Sequence, residues 1–244
     1  ISGRLPAQVS AKDIMLAIAG RYGTDVARYR AVEFQGPTVE RLAIDDRMTL
    51  TNMSIELGAK FGFTPVDDRV EQYVRDRTDR PFAPATASDP SYAAVHEIDV
   101  EELAPQVAVP HSVENVHPID AVEPVALDQV FLGSCTNGKL ADLRAAAALL
   151  EGRTVADCTR LIVTPASRAI QQASEAEGLL GTFLAAGASV TSATCGACPG
   201  LGMGVLGAEE VCLAAQNRNF RGRMGDDSSA IYLASPETAA ASAV

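Results

Sequence analysis

The residues with the most chemistry to offer are cysteines, five in 244 residues, and three of them fall in loops of small residues. Cys195 and Cys198 form a Cys-x-x-Cys within Thr194-Cys195-Gly196-Ala197-Cys198-Pro199-Gly200. A pair at that spacing in a glycine-rich loop more often has a ligand or redox role than a structural one. Its small neighbours leave room for a bulky inorganic group and free backbone N–H groups to bond sulfide. Cys135 lies in Gly133-Ser134-Cys135-Thr136-Asn137-Gly138, a polar turn directly after an apolar run. At the carboxyl end of a parallel strand it would face the crevice where such sheets bind ligands, and three thiols could converge. The motif alone leaves Cys135 open between ligand and ordinary thiol. Cys158 and Cys212, between apolar neighbours on expected strands, read as buried and inert.

Zinc would want a fourth ligand at a familiar spacing, and none of His96, His111 and His117 lies near in sequence, although folding can bring one close. A thioredoxin-like pair would open a helix directly after a strand, which Pro199-Gly200 fits badly. The densest positive cluster is Asn217-Arg218-Asn219-Phe220-Arg221-Gly222-Arg223-Met224-Gly225. It reads as an anion clamp, since planar guanidinium groups grip carboxylates through paired hydrogen bonds; the alternative is a solvated basic turn. Glu56, on an expected helix, can move protons if its surroundings tune it, and is otherwise a surface acid.

Elements to position these groups follow from the apolar pattern. Helices are expected over 12–21, over most of 38–61 with an end at Gly62, and over 67–77; a strand is expected over 29–34 and a loop over 80–92. The Pro- and His-containing stretch 109–122 reads as a connection between domains, placing a boundary near 120, with a first α/β domain over 1–119. Beyond it, strand 127–132, helix 139–150, strand 160–164, helix 167–177, strands 210–214 and 230–233 and a helix from 236 alternate. That order implies a mostly parallel sheet, so 120–244 is expected to be an α/β domain bearing the cysteines. With no initiator Met and a last helix that stops abruptly, both chain ends are expected to be cut.

A formal charge of -11, from 31 acidic against 20 basic residues, argues against nucleic acid and anionic membranes as partners. No Trp, 5% aromatic and 47% hydrophobic residues favour layered α/β packing. No apolar run approaches the ~20 residues of a spanning helix, and an odd number of cysteines with one Cys-x-x-Cys suits a reducing compartment. A soluble, cytoplasmic chain is the expectation.

The three cysteine and arginine motifs, in their order and spacing, resemble the aconitase superfamily. Pro110-His111-Ser112-Val113-Glu114-Asn115-Val116, Val163-Thr164-Pro165-Ala166-Ser167-Arg168 and Arg223-Met224-Gly225 look like the group of 3-isopropylmalate dehydratase and homoaconitase large subunits. The likeness spans nearly the whole chain. It implies three-layer α/β/α domains and a four-iron, four-sulfur (4Fe-4S) cluster held by Cys135, Cys195 and Cys198, one iron being left for a malate-type hydroxy-acid. It further implies a hydro-lyase of leucine biosynthesis that isomerises 2-isopropylmalate to 3-isopropylmalate; homoaconitase, another hydroxy-acid dehydratase or a non-catalytic cluster module are the alternatives. By the same resemblance Arg218 and Arg223 hold substrate carboxylate, Asn217 lines the cluster site, and Asn52 and Glu56 match an active-site helix. The pattern departs at Pro199, where relatives carry an aliphatic residue, and at Thr51, where they often carry Cys. An N-terminal region rich in His and Asp, and a small swivelling subunit supplying a base, are implied as partners.

Overall fold

Strands covered by helices on both faces must be apolar throughout, and 129–133, 160–164, 211–214 and 230–233 are largely so. The computed structural model, which describes residues 1–84 and 89–244, shows the covering layers. In chain order it has α1 (Ala11–Tyr22), β1 (Ala31–Glu33), α2 (Pro37–Arg41), α3 (Ile44–Met53), a 3-10 turn (Ser54–Leu57), β2 (Phe61–Phe63), α4 (Asp68–Arg75), β3 (Gln106–Ala108) and β4 (Val116–Pro118). After a second 3-10 turn (Ile119–Ala121) come β5 (Gln129–Gly133), α5 (Ser134–Asn137), α6 (Leu140–Leu150), β6 (Arg160–Thr164), α7 (Arg168–Ala176), α8 (Leu179–Ala185), β7 (Ser189–Val190), β8 (Val211–Ala214), β9 (Ala230–Leu233) and α9 (Pro236–Ala241).

A seven-stranded sheet has the order β4-β3-β9-β8-β5-β6-β7. The strands from β9 to β7 are parallel, and β3 runs antiparallel to β4 and β9. Alternation along each central strand divides the core in two. Phe131, Ile162, Cys212 and Ile231 face a layer with Ile14, Leu16, Leu50 and Met53 of α1 and α3. Val130, Leu132, Leu161, Val163 and Leu213 face the other way, with Leu143, Leu150, Phe183 and Ala239 of α6, α8 and α9. Helices therefore cover both faces, giving the three-layer α/β/α arrangement. β3 and β4 precede residue 120, so the expected boundary falls between two strands of one sheet, and the first core draws on both sides of it.

Several local expectations are corrected. The strand expected over 29–34 shrinks to β1, since Arg28 and Tyr29 adopt positive φ of 44° and 62°. The helix expected over 38–61 is broken at Leu42 and ends at Gly58, whose φ of 71° closes the 3-10 turn. Residues 61–63 then pair with β1 as a second, two-stranded parallel sheet. Stretch 109–122 contains β4, α8 follows closely on α7, and the loop expected over 80–92 falls partly outside the described residues. Cys158 is exposed in a turn before β6 rather than buried on a strand, whereas Cys212 is fully buried.

Candidate functional site

From β5 the chain steps to β6 and β7 on one side, then returns to β8 and β9 on the other. Strand order thus reverses at β5, and the carboxyl ends of β5 and β8 bound the crevice where open α/β sheets bind ligands. Cys135 directly follows β5, and Asn217 and Arg218 follow β8.

The turn carrying Cys135 is shaped by glycine. Gly133 has φ 150°, and a Cβ there would stand 2.3 Å from the Thr164 carbonyl oxygen; at Gly138 it would stand 2.6 Å from the same atom. Between them Ser134 takes φ 62°, a left-handed conformation that throws Cys135 outward at the start of α5. Thr164, the last residue of β6, also touches the second cysteine loop: a Cβ on Gly196 would lie 3.0 Å from its Oγ1. The Cys135 turn and the Cys195–Cys198 loop therefore rest on one residue.

Asn52, near the end of α3, joins the segments. Its Oδ1 accepts from Asn217 Nδ2 at 2.8 Å and from Thr136 Oγ1 at 3.1 Å, while its Nδ2 donates to Cys135 Sγ at 3.6 Å. One helical turn on, Glu56 Oε1 accepts from Arg218 Nε at 2.8 Å. Burial pushes the Glu56 carboxyl above its ordinary value, and the Arg218 guanidinium and the Asn217 amide draw it back. A carboxyl so balanced can hold or release a proton. Arg223 Nη2 donates to Cys198 Sγ at 3.5 Å. The arginines of the basic cluster thus have separate partners, Arg218 the carboxylate and Arg223 a thiol. A cavity of about 440 Å³ opens beside Asn52 and Cys135, lined also by Met48, Tyr73, Lys139 and Ile170.

All five thiols are free, with Cys135 and Cys195 exposed and Cys198 nearly buried. Among the described residues no three His, Cys, Asp or Glu side chains gather closely enough to hold one metal ion. The N–H donors of Asn52 on Cys135 and of Arg223 on Cys198 suit anionic sulfur.

Two lysines escaped the sequence reading. Lys139 is buried, donating Nζ to Thr49 Oγ1 at 2.7 Å and to the Thr136 carbonyl, which clamps α3 to the Cys135 turn. Lys12 is fully buried and donates to the Gln216 carbonyl. Burial brings its ammonium down to about 7, against the upward pull of Glu56 and Asp13. The available signal was a charged residue inside the apolar stretch of α1.

The chain is similar to known proteins along its whole length. The model of the aconitase family (aconitate hydratase) matches residues 1–125 and 120–244. The probable 3-isopropylmalate dehydratase large subunit of Methanothermobacter thermautotrophicus is 48% identical over 100% of this chain and 58% of its own length. The 3-isopropylmalate dehydratase large subunit of Syntrophus aciditrophicus is 50% identical, again over 100% of this chain and 58% of its own length. A probable methanogen homoaconitase large subunit of M. thermautotrophicus is 46% identical over 100% of this chain and 57% of its own length. The chain thus spans a little under three fifths of the curated relatives it matches. A matching family model over both halves, and relatives near half identical from end to end, place the chain in the aconitase family.

Proposed function

We propose that this chain is the cluster-bearing part of the large subunit of a hydro-lyase that isomerises 2-isopropylmalate to 3-isopropylmalate by removing and returning water. Cys135, Cys195 and Cys198 would hold a 4Fe-4S cluster, which when bound supplies a Lewis acid for the substrate hydroxyl. The observation that carries the reading is the meeting of the Cys135 turn and the Cys195–Cys198 loop on Thr164, with Asn52 tying the first of them to Asn217.

The chain's own groups then have distinct tasks. Arg218 and Arg223 grip substrate carboxylate, where a planar fork gives orientation as well as charge in a chain of net charge -11. Asn52 and Asn217 set donors around the thiolates. Glu56, steadied through Oε1, carries a proton to or from the hydroxyl by its second oxygen. In dehydration a proton leaves the carbon beside the carbinol and the hydroxyl departs with its bonding electrons, giving an unsaturated acid and water; addition at the other carbon moves the hydroxyl. The carbon base and further contacts are assigned to a small swivelling subunit, which the name "large subunit" on the relatives supports, and to a preceding large-subunit segment. The similar identity to the homoaconitase relative supports a longer tricarboxylic substrate as the second reading.

Among the described residues no helix is long and apolar enough to cross a membrane. With five free thiols, the cytoplasm is the compartment we propose. Anaerobic reconstitution tests the cluster assignment. Cys135→Ser, Cys195→Ser and Cys198→Ser should each lose the brown absorbance and bound iron, while Cys158→Ser and Cys212→Ser keep both. Equal loss in all five would refute the ligand set, and turnover of 2-isopropylmalate against homocitrate after mixing with small subunits decides the substrate.

A further inference from the structure

We propose that Lys12 is a positioning residue of this site: bonded to the Gln216 carbonyl, its buried ammonium braces the Asn217–Arg218 segment and brings a positive charge to the turn whose Arg218 bonds Glu56. Lys12 is 0% exposed, and an ammonium taken wholly out of water is costly unless it is paired and hydrogen-bonded. A surface-stabilising role is therefore excluded, and what the group touches must explain its place.

Its contacts form one chain of hydrogen bonds. Lys12 Nζ donates to the carbonyl of Gln216, Gln216 Nε2 donates to the Arg218 carbonyl at 2.9 Å, and Arg218 Nε donates to Glu56 at 2.8 Å. The segment so held leaves β8 after Ala215, whose own N–H is bonded to the Phe131 carbonyl of β5. From there to Arg218 the backbone has left the sheet ladder, and Lys12 holds it from α1. The other end of the brace is equally fixed. Asp13, next in sequence, accepts at Oδ2 from Ser10 N at 2.8 Å and at Oδ1 from Gln106 N at 2.8 Å, locking the start of α1 to β3. A rigid helix thus delivers a cation to the turn that presents Asn217 and Arg218.

The second half of the proposal rests on the function proposed above, since a positive charge at this turn matters most when a cluster and an acid substrate are bound. Two measurements separate the two ideas. Lys12→Met keeps the stem and removes donor and charge, and Leu16→Ala, a cavity at another fully buried residue of α1, is the control for plain destabilisation. In the chain without cluster, amide hydrogen exchange over 216–219 should be about tenfold or more faster in Lys12→Met relative to β6, the factor expected for one lost charge-assisted bond. Leu16→Ala should show no such local excess. In reconstituted protein at pH 6, the midpoint potential of the cluster should be more negative in Lys12→Met and unmoved in Leu16→Ala, because a nearby positive charge favours the reduced state. Wild-type exchange over 216–219, the same local excess in Leu16→Ala, or an unmoved potential would each overturn the proposal. Should Lys12→Met not fold, Lys12→Gln, one atom too short to reach the Gln216 carbonyl, takes its place in both comparisons. If the wild-type chain takes up no iron and sulfide, the proposed function falls, and exchange alone still decides whether Lys12 braces the segment.

Discussion

Replacing Glu237 by glutamine should stabilise the chain at pH 8 and leave it nearly unchanged at pH 4.5. Glu237 sits in the first turn of α9, a position that ordinarily favours a carboxylate. Here burial wins: its Oε2 is enclosed without a partner among the described residues, Asp13, Asp142 and Asp46 oppose its charge, and the carboxyl is pushed up to about 7. In the unfolded chain it ionises near 4.5, so between these values the folded state holds the extra proton and stability falls as pH rises. From 4.5 to about 7, at ~1.36 kcal/mol for each pH unit, the loss is roughly 3 kcal/mol, complete near pH 8. Against a typical domain stability of about 5–15 kcal/mol that is a large fraction. Urea unfolding followed by circular dichroism at pH 4.5, 6 and 8 reads the effect directly. Asp46, raised to about 6, titrates in both proteins, so only its coupling to Glu237 enters the difference. The gap between Glu237→Gln and wild type should grow with pH to about 3 kcal/mol; a gap that stays constant would refute the reasoning.

Four further outcomes test other parts of the chain and of its proposed function. Arg218→Lys should lower turnover in the assembled enzyme about 10- to 100-fold with the cluster spectrum intact, because an ammonium cannot reproduce the fork. Arg218→Met removes the largest downward pull on Glu56, so the Glu56 limb of the pH–rate profile should move to higher pH. Gly133→Ala places a Cβ 2.3 Å from the Thr164 carbonyl at φ 150°, and denaturation should show a loss of about 2–4 kcal/mol. Iodoacetamide on the native chain should label the exposed Cys135, Cys158 and Cys195 and spare Cys212, which is 0% exposed with its thiol pushed up to about 12; peptide mass spectrometry distinguishes them.

What could be read in advance followed from how much side chain each element buries. β5, β6, β8 and α6 were legible because a parallel strand covered on both faces must be apolar along its length, and a helix over it must be apolar along one stripe. β3 and β4 were not, since three-residue strands containing Gln106, His117 and Pro118 owe their existence to pairing and carry no pattern of their own. The helix drawn through 38–61 went wrong at Gly58: Leu50, Met53 and Leu57 keep burying one side while the backbone has already tightened and turned. Cys158 was misplaced because it lies with Asp157 in a turn between the apolar Val155-Ala156 and β6, where side chains of one stretch need not share a fate.

The site itself divides along the same line. The motifs supply the thiols and arginines, but what joins the Cys135 turn to Asn217 is Asn52, an uncharged residue whose importance lies in three partners from two distant segments, and such partnership leaves no trace in local pattern. The consequence is uneven rigidity. Cys135 is fixed before any ligand arrives, by Gly133 and Ser134 in positive φ, by Gly138 against Thr164, and by the Asn52 and Lys139 bonds around Thr136. The Cys195–Cys198 loop is held mainly by its own turns, Cys198 N to Cys195 O at 3.2 Å, Gly200 N to Ala197 O at 2.9 Å and Gly196 N to Thr194 Oγ1 at 2.6 Å, with buried Ala197, the contact of Gly196 with Thr164 and the Arg223 bond to sulfur as its outside ties. A preformed corner facing a looser loop is the arrangement in which ordering of the loop, rather than of Cys135, limits how readily three thiols close around one group.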